Sequence, residues 1–174
     1  MAEWPFTVGE LTAGLRRYFA APALNAAALE EFALPPTGRV RPAGPGVRGL
    51  HVVYEISGAN FEVDCVVKQP PAAARAGLAH PGVREAGVYR SLAVQLPMAT
   101  PALVAADPSG SWLVLEAVEA PHLGPWTADE YGQAVGLLAR LHERFWGLDE
   151  DLATYPWLAR PLTLDYEIHV HAAA

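Results

Sequence analysis

The strictest pattern in the chain begins at Leu50. Leu50, Val52, Tyr54 and Ile56 alternate with His51, Val53, Glu55 and Ser57, the two-residue period of a strand with one buried face. Gly58-Ala59-Asn60 reads as a short turn. Phe61, Val63, Cys65 and Val67 then alternate with Glu62, Asp64, Val66 and Lys68 until Pro70-Pro71, so the two runs predict an antiparallel hairpin. Upstream, Thr7-Val8-Gly9-Glu10 is a capping box, in which a hydroxyl and a carboxylate satisfy each other's orphan amides. Leu11, Leu15, Tyr18 and Phe19 follow at helical spacing, predicting an amphipathic helix. A second, short helical piece is expected over Asn25–Phe32, and Pro35-Pro36-Thr37-Gly38 breaks it.

Downstream of an ambiguous Ala-rich stretch, Pro81 is placed to open a helix through Arg84-Glu85-Ala86-Gly87-Val88-Tyr89-Arg90-Ser91-Leu92, which Pro97 and Pro101 close. Two short apolar strands, 102–106 and 112–118, flank Asp107-Pro108-Ser109-Gly110, a tight-turn composition that makes a second hairpin. Pro121, Gly124 and Pro125 form a linker. Thr127-Ala128-Asp129-Glu130 is a second capping box, starting a helix with Tyr131, Val135, Leu138, Leu141 and Phe145 along one side and Gly147 as a left-handed stop. After it, Pro156 and Pro161 interrupt a segment of weak periodicity. The class is α+β, with an antiparallel sheet. The organisation is an N-terminal helical segment over 1–36, a sheet-bearing region over 37–120, and a linker, helix and tail over 121–174.

Composition narrows the function classes. With 52% hydrophobic and 18% charged residues among 174, the chain can bury a sizeable core. Twelve basic against nineteen acidic residues give a net charge of -7, which repels a phosphate backbone and argues against nucleic acid as a partner. Cys65 is the single cysteine, so no internal disulfide or cysteine-based zinc site forms, in keeping with a reducing cytoplasm. No window has the roughly 18 apolar residues of a membrane span.

Gly44-Pro45-Gly46-Val47-Arg48-Gly49 is a literal G-x-G-x-x-G. The segment after it alternates as a strand, whereas a dinucleotide-binding fingerprint requires a helix there. Glycines in such a turn let backbone N–H groups approach phosphates, although a plain Gly/Pro turn has the same composition. Lys68 ends the second strand and shares a face with Val66, opposite Cys65 and Val67. Glu85 lies on the same helical side as Val88, Tyr89 and Leu92 and so points inward, where a carboxylate requires a cationic partner. Arg84 or Arg90 at the surface is the local alternative to Lys68.

The order of glycine-rich turn, strands, helix, two strands, linker and helix resembles the small lobe of protein-kinase-like enzymes, of the aminoglycoside/choline phosphotransferase type. Cys65-Val66-Val67-Lys68 is similar to the V-A-I-K segment of kinases. Leu113-Val114-Leu115-Glu116-Ala117-Val118 resembles the hinge strand, and Ala139-Arg140-Leu141-His142-Glu143 with Tyr155-Pro156-Trp157-Leu158 the start of the large lobe. The resemblance implies a nucleotide site for ATP: Gly44, Gly46 and Gly49 around the phosphates, Val66 against the base, Lys68 held by Glu85, and main-chain contacts from Glu116 and Val118. His51 departs from the pattern, which has Val there.

The family's catalytic loop, His-Gly-Asp followed by Asn, and its later metal-binding Asp are not found in these 174 residues. Asp149, Glu150, Asp151 and Asp165 stand in no such motif, and His169 and His171 lack a third ligand of convincing spacing. No catalytic or metal-binding residue is therefore assigned, and Mg2+ is expected only with the missing lobe. The reading is the ATP-binding portion of a small-molecule kinase whose full-length form phosphorylates a hydroxyl acceptor. A homodimer through the uncovered apolar side of the last helix is expected to follow. The alternatives are a non-catalytic interaction or regulatory module that retains the small-lobe fold, and an unrelated α+β binding domain.

Overall fold

A computed structural model describes residues 3–34, 46–70, 81–118, 125–148, 152 and 154–158. Gly44, Pro121, Gly124, Asp149, Glu150, Asp151, Asp165, His169 and His171 lie outside the described residues. Among the described residues five strands form one antiparallel sheet, accompanied by three helices, an α+β architecture.

Helix α1, Val8–Tyr18, starts as its capping box requires. The Thr7 hydroxyl accepts from the Glu10 amide at 3.2 Å and the Glu10 carboxylate accepts from the Thr7 amide at 2.7 Å. Its Leu11 and Leu15 are fully buried.

The predicted helical piece is instead strand β1, Asn25–Phe32, paired antiparallel with β2, Val47–Ile56. The cause is a bulge between Ala26 and Ala28, where one extra residue enters β1. Ala26 sits opposite Tyr54 and Leu29 opposite Val52, so both reach the core although they are three residues apart. An i, i+3 apolar spacing with helix-forming Ala, Leu and Glu imitates a helix in one dimension. The hydrogen bonds offered by β2 decide the matter.

β2 pairs in unbroken register with β3, Ala59–Lys68, from Val47 opposite Lys68 to Ile56 opposite Ala59. The connecting turn is Ser57-Gly58, both at positive φ (53° and 84°), the two-residue hairpin geometry whose twist matches the strands. β3 then pairs with β5, Leu113–Glu116, and β5 with β4, Leu103–Ala106, giving the order β1-β2-β3-β5-β4. The β4–β5 turn is organised by Asp107, whose carboxylate accepts from the amides of Ser109 and Ser111 and from both their hydroxyls, while Gly110 takes a φ of 73°. These bonds to the ionised form hold the Asp107 carboxyl below its usual range.

The alternation becomes a core on one face only. Leu50, Val52, Tyr54, Cys65, Val67 and Val114 join Leu11 and Leu15 of α1, with Trp112, Phe6 and Leu24 completing the cluster. A side chain of leucine size contributes about 1.5–3 kcal/mol when fully buried. The helix approaches closely because residue 14 is glycine: a Cβ there would stand 2.6 Å from both the Val104 carbonyl oxygen and the Ala105 Cβ. This sheet and α1 belong to one compact unit, Met1–Pro70 with Pro101–Pro125.

The second unit, Pro71–Thr100 with Trp126–Ala174, contains α2, Pro81–Gly87, and α3, Ala128–Phe145. α2 runs on as a π turn over Val88–Leu92 and a 3-10 turn over Ala93–Gln95. Gly87 is buried against the indole of Trp157, which occupies the place of a side chain. α3 begins with the Thr127–Glu130 capping box. Its apolar side is split: Leu141 and Phe145 are half-buried, whereas Tyr131, Val135 and Leu138 are exposed. No described helix is long and apolar enough to cross a membrane.

Candidate functional site

The face of the sheet opposite α1 carries three of the predicted site residues, Gly49, Val66 and Lys68. Strand pairing lays its residues out in rows, and neighbouring rows on one face are two residues apart, roughly 7 Å. One row runs Phe32, Gly49, Val66, Leu115 across β1, β2, β3 and β5. The next, toward the β2–β3 open end, runs Val47, Lys68, Leu113. On the other side lies Glu30, His51, Asp64, and there the Ala117 amide donates to the Asp64 carbonyl at 3.2 Å. Thus Gly49 and Val66 stand side by side and Lys68 one row along, on strands β2 and β3, with β5 paired to β3.

The two described glycines of the motif are required by the backbone around them. Gly46 is in the turn before β2, its carbonyl accepts from the Gln69 amide at 2.7 Å, and a Cβ would collide with the Gln69 carbonyl oxygen. Gly49 is inside β2 rather than in the loop. A Cβ there would stand 2.6 Å from the Phe32 carbonyl oxygen and 2.8 Å from two atoms of the Phe32 ring. Phe32 therefore lies across the bare backbone of Gly49, in an apolar row of Phe32, Gly49, Val66 and Leu115 of which Gly49 and Leu115 are buried.

Lys68 is half-buried at the end of β3, on the face opposite the buried Cys65 and Val67, in agreement with its strand parity. Glu85 is half-buried in the middle of α2, in the second unit. The neighbouring Tyr89 phenol is raised by burial first and by the Glu85 charge second.

Glu116 has a side-chain role that the sequence does not disclose. It sits opposite Cys65, on the core face, where its carboxylate accepts from the Ala102 amide at 3.1 Å. Burial first, and then this carboxylate, push the Tyr18 phenol up. The side chain is thus engaged with α1 and the β4 entry, and the Glu116 amide donates to the Ala102 carbonyl at 2.9 Å. Val118 beyond it is 64% exposed.

Asp64, Glu30 and Phe32 are the site neighbours that motif reasoning missed, and His51, noted in sequence only as a departure from the motif, stands among them. His51 Nδ1 lies 2.7 Å from Asp64 Oδ1, and Nε2 lies 3.9 Å from Glu62. The hydrogen bond to Asp64 raises the imidazole above its ordinary range, against a smaller opposing effect of burial. No local signal marks these residues; only the cross-strand register makes them neighbours.

A separate hollow of about 350 Å³ in the second unit, walled by Leu92, Arg144, Phe145 and Tyr155 among others, contains none of the predicted site residues. Among the described residues no group of three or more His, Cys, Asp or Glu side chains is placed to hold a metal ion. Comparison with protein-family models, with curated proteins and with solved structures finds no match to this chain.

Proposed function

We propose that the sheet face opposite α1 binds ATP, as the nucleotide-binding portion of a cytoplasmic small-molecule phosphotransferase of the kinase-like type. The observation that carries this reading is the register placing Gly49, Val66 and Leu115 in one row, with Lys68 in the next and the Glu116 to Val118 main chain at the end of β5. A flat base suits the apolar row in which the Phe32 ring covers Gly49 beside Val66. Lys68, one row along, brings a cation to the phosphate side.

In this role the chain's residues bind and orient. A kinase-like transfer also needs an aspartate for the attacking hydroxyl and ligands for Mg2+, which the sequence does not supply in a recognisable motif. The acceptor of such a transfer would be a hydroxylated small molecule, and no acceptor-binding residue is assigned in this chain. The reading is tested by calorimetric titration with ATP. A charge-assisted lysine contact contributes about 1.5–3 kcal/mol, so Lys68→Ala is expected to weaken ATP binding about tenfold or more. Equal affinity in the variant and the parent contradicts the role of Lys68; no binding by either contradicts the nucleotide reading.

A further inference from the structure

We infer that this chain pairs with a second copy of itself through α3, the two helices lying antiparallel about a point between Ala134 and Val135. The pairing does not depend on the nucleotide reading: it follows from an apolar row that α3 leaves uncovered and from the order of charges along its flank.

α3 carries two apolar rows where one suffices to dock it. Leu137, Leu141 and Phe145 are half-buried. Tyr131, Val135 and Leu138, spaced by four and three residues and so aligned along another side of the helix, are 60%, 66% and 50% exposed. Beside this second row residue 132 is glycine, and nothing stands within 4 Å of the place a Cβ would take, so that side of the helix is open. Single exposed hydrophobic residues are ordinary, whereas a row sustained over two turns marks a surface for a partner.

The charges choose that partner. Asp129 stands in the first turn and Arg140 eleven residues on, which is about three turns, so both project from one side of the helix. Both are exposed, and neither has an ion-pair partner among the described residues. The midpoint between Asp129 and Arg140 falls between Ala134 and Val135, and so does the midpoint between Tyr131 and Leu138. A second α3 turned end for end about that point brings its Arg140 to Asp129 and its Leu138 to Tyr131, and the two Val135 side chains meet at the centre. Twofold symmetry repeats each contact, so the two ion pairs flank one apolar seam. A parallel arrangement sets like charge on like. An unrelated partner has no use for the shared midpoint, which is a self-complementary feature. One helix face is small beside the interfaces of permanent dimers, so association is weak, with a dissociation constant of about 10–100 µM.

Sedimentation equilibrium of the whole chain, from about 1 to 300 µM, reads the association. The parent is expected to show a monomer to dimer equilibrium. Val135→Arg, at an exposed position, sets two like charges at the centre of the seam and is expected to weaken the dimer about thirtyfold or more. Asp129→Lys and Arg140→Glu, each alone, are expected to weaken it about threefold to thirtyfold. An equimolar mixture of these two variants restores opposite charges at both pairings, and its dimer is expected to return to within about threefold of the parent. Circular dichroism checks that each variant keeps the parent's helix content. A parent that stays monomeric throughout the range overturns the inference. A dimer indifferent to Val135→Arg also overturns it, because association then uses another face. Charge variants whose weakened dimers are not rescued in the mixture overturn the antiparallel pairing.

Discussion

Cys65 and Lys68 sit three residues apart on β3, and their environments differ because a strand turns successive side chains to opposite faces. Cys65 is fully buried between Leu50 and Glu116 on adjacent strands. Burial, followed by the charges of Asp64 and Glu116, pushes its thiol up to about 12. Since the thiolate is the reactive form, Cys65 is expected to resist a disulfide reagent at pH 8 in the folded protein and to release one equivalent only in denaturant. Rapid labelling under native conditions would contradict this burial. The alternation from Phe61 to Lys68 was legible from the residues themselves. That Asp64 holds His51 was not, because their thirteen-residue separation becomes contact only through the β2–β3 register.

At the scale of elements, α1 and the sheet depend on one absent side chain. Gly14→Ala forces a methyl group into the Val104 carbonyl and the Ala105 side chain, neither of which is a flexible tip. The expected cost is about 1–3 kcal/mol, read as a lower urea midpoint with unchanged slope. An unchanged midpoint would mean that α1 does not pack this closely on β4. Both capping boxes, the β2–β3 hairpin and the Asp107 turn were visible in sequence, since each is closed by residues within a few positions of one another. β1 was not. Its bulge spaces Ala26 and Leu29 as a helix would, and only pairing with β2 distinguishes the two. The single apolar side expected of α3 was also divided, with Leu141 and Phe145 half-buried and Tyr131, Val135 and Leu138 exposed; amphipathic spacing defines a stripe, and the neighbouring elements decide how much of it is covered.

For the whole molecule, the proposed nucleotide reading separates binding from transfer. The proposed site supplies a base strip, a lysine and strand-end main chain, whereas the 174 residues contain no motif of the kind that orients an acceptor hydroxyl or holds Mg2+. With ATP, Mg2+ and a panel of hydroxylated acceptors, this chain is expected to bind nucleotide without transferring phosphate, as followed by release of labelled phosphoryl product. Turnover by the chain alone would show that other acids, Asp149 or Asp151 among them, carry the chemistry. What the sequence determined by itself was the set of locally encoded pieces: the period-two hairpin, the capped helices, the tight turns, the acidic balance and the candidate identities of Gly46, Gly49, Val66 and Lys68. Tertiary structure alone decided the fifth strand, the occupation of the Glu116 side chain by Ala102 and the α1 side of the sheet, and the rows that set Phe32 against Gly49 and His51 between Glu30 and Asp64. The physical reason is that periodicity, caps and turns are short-range constraints, while strand order and register are set by which distant backbones complete one another's hydrogen bonds and bury one common face.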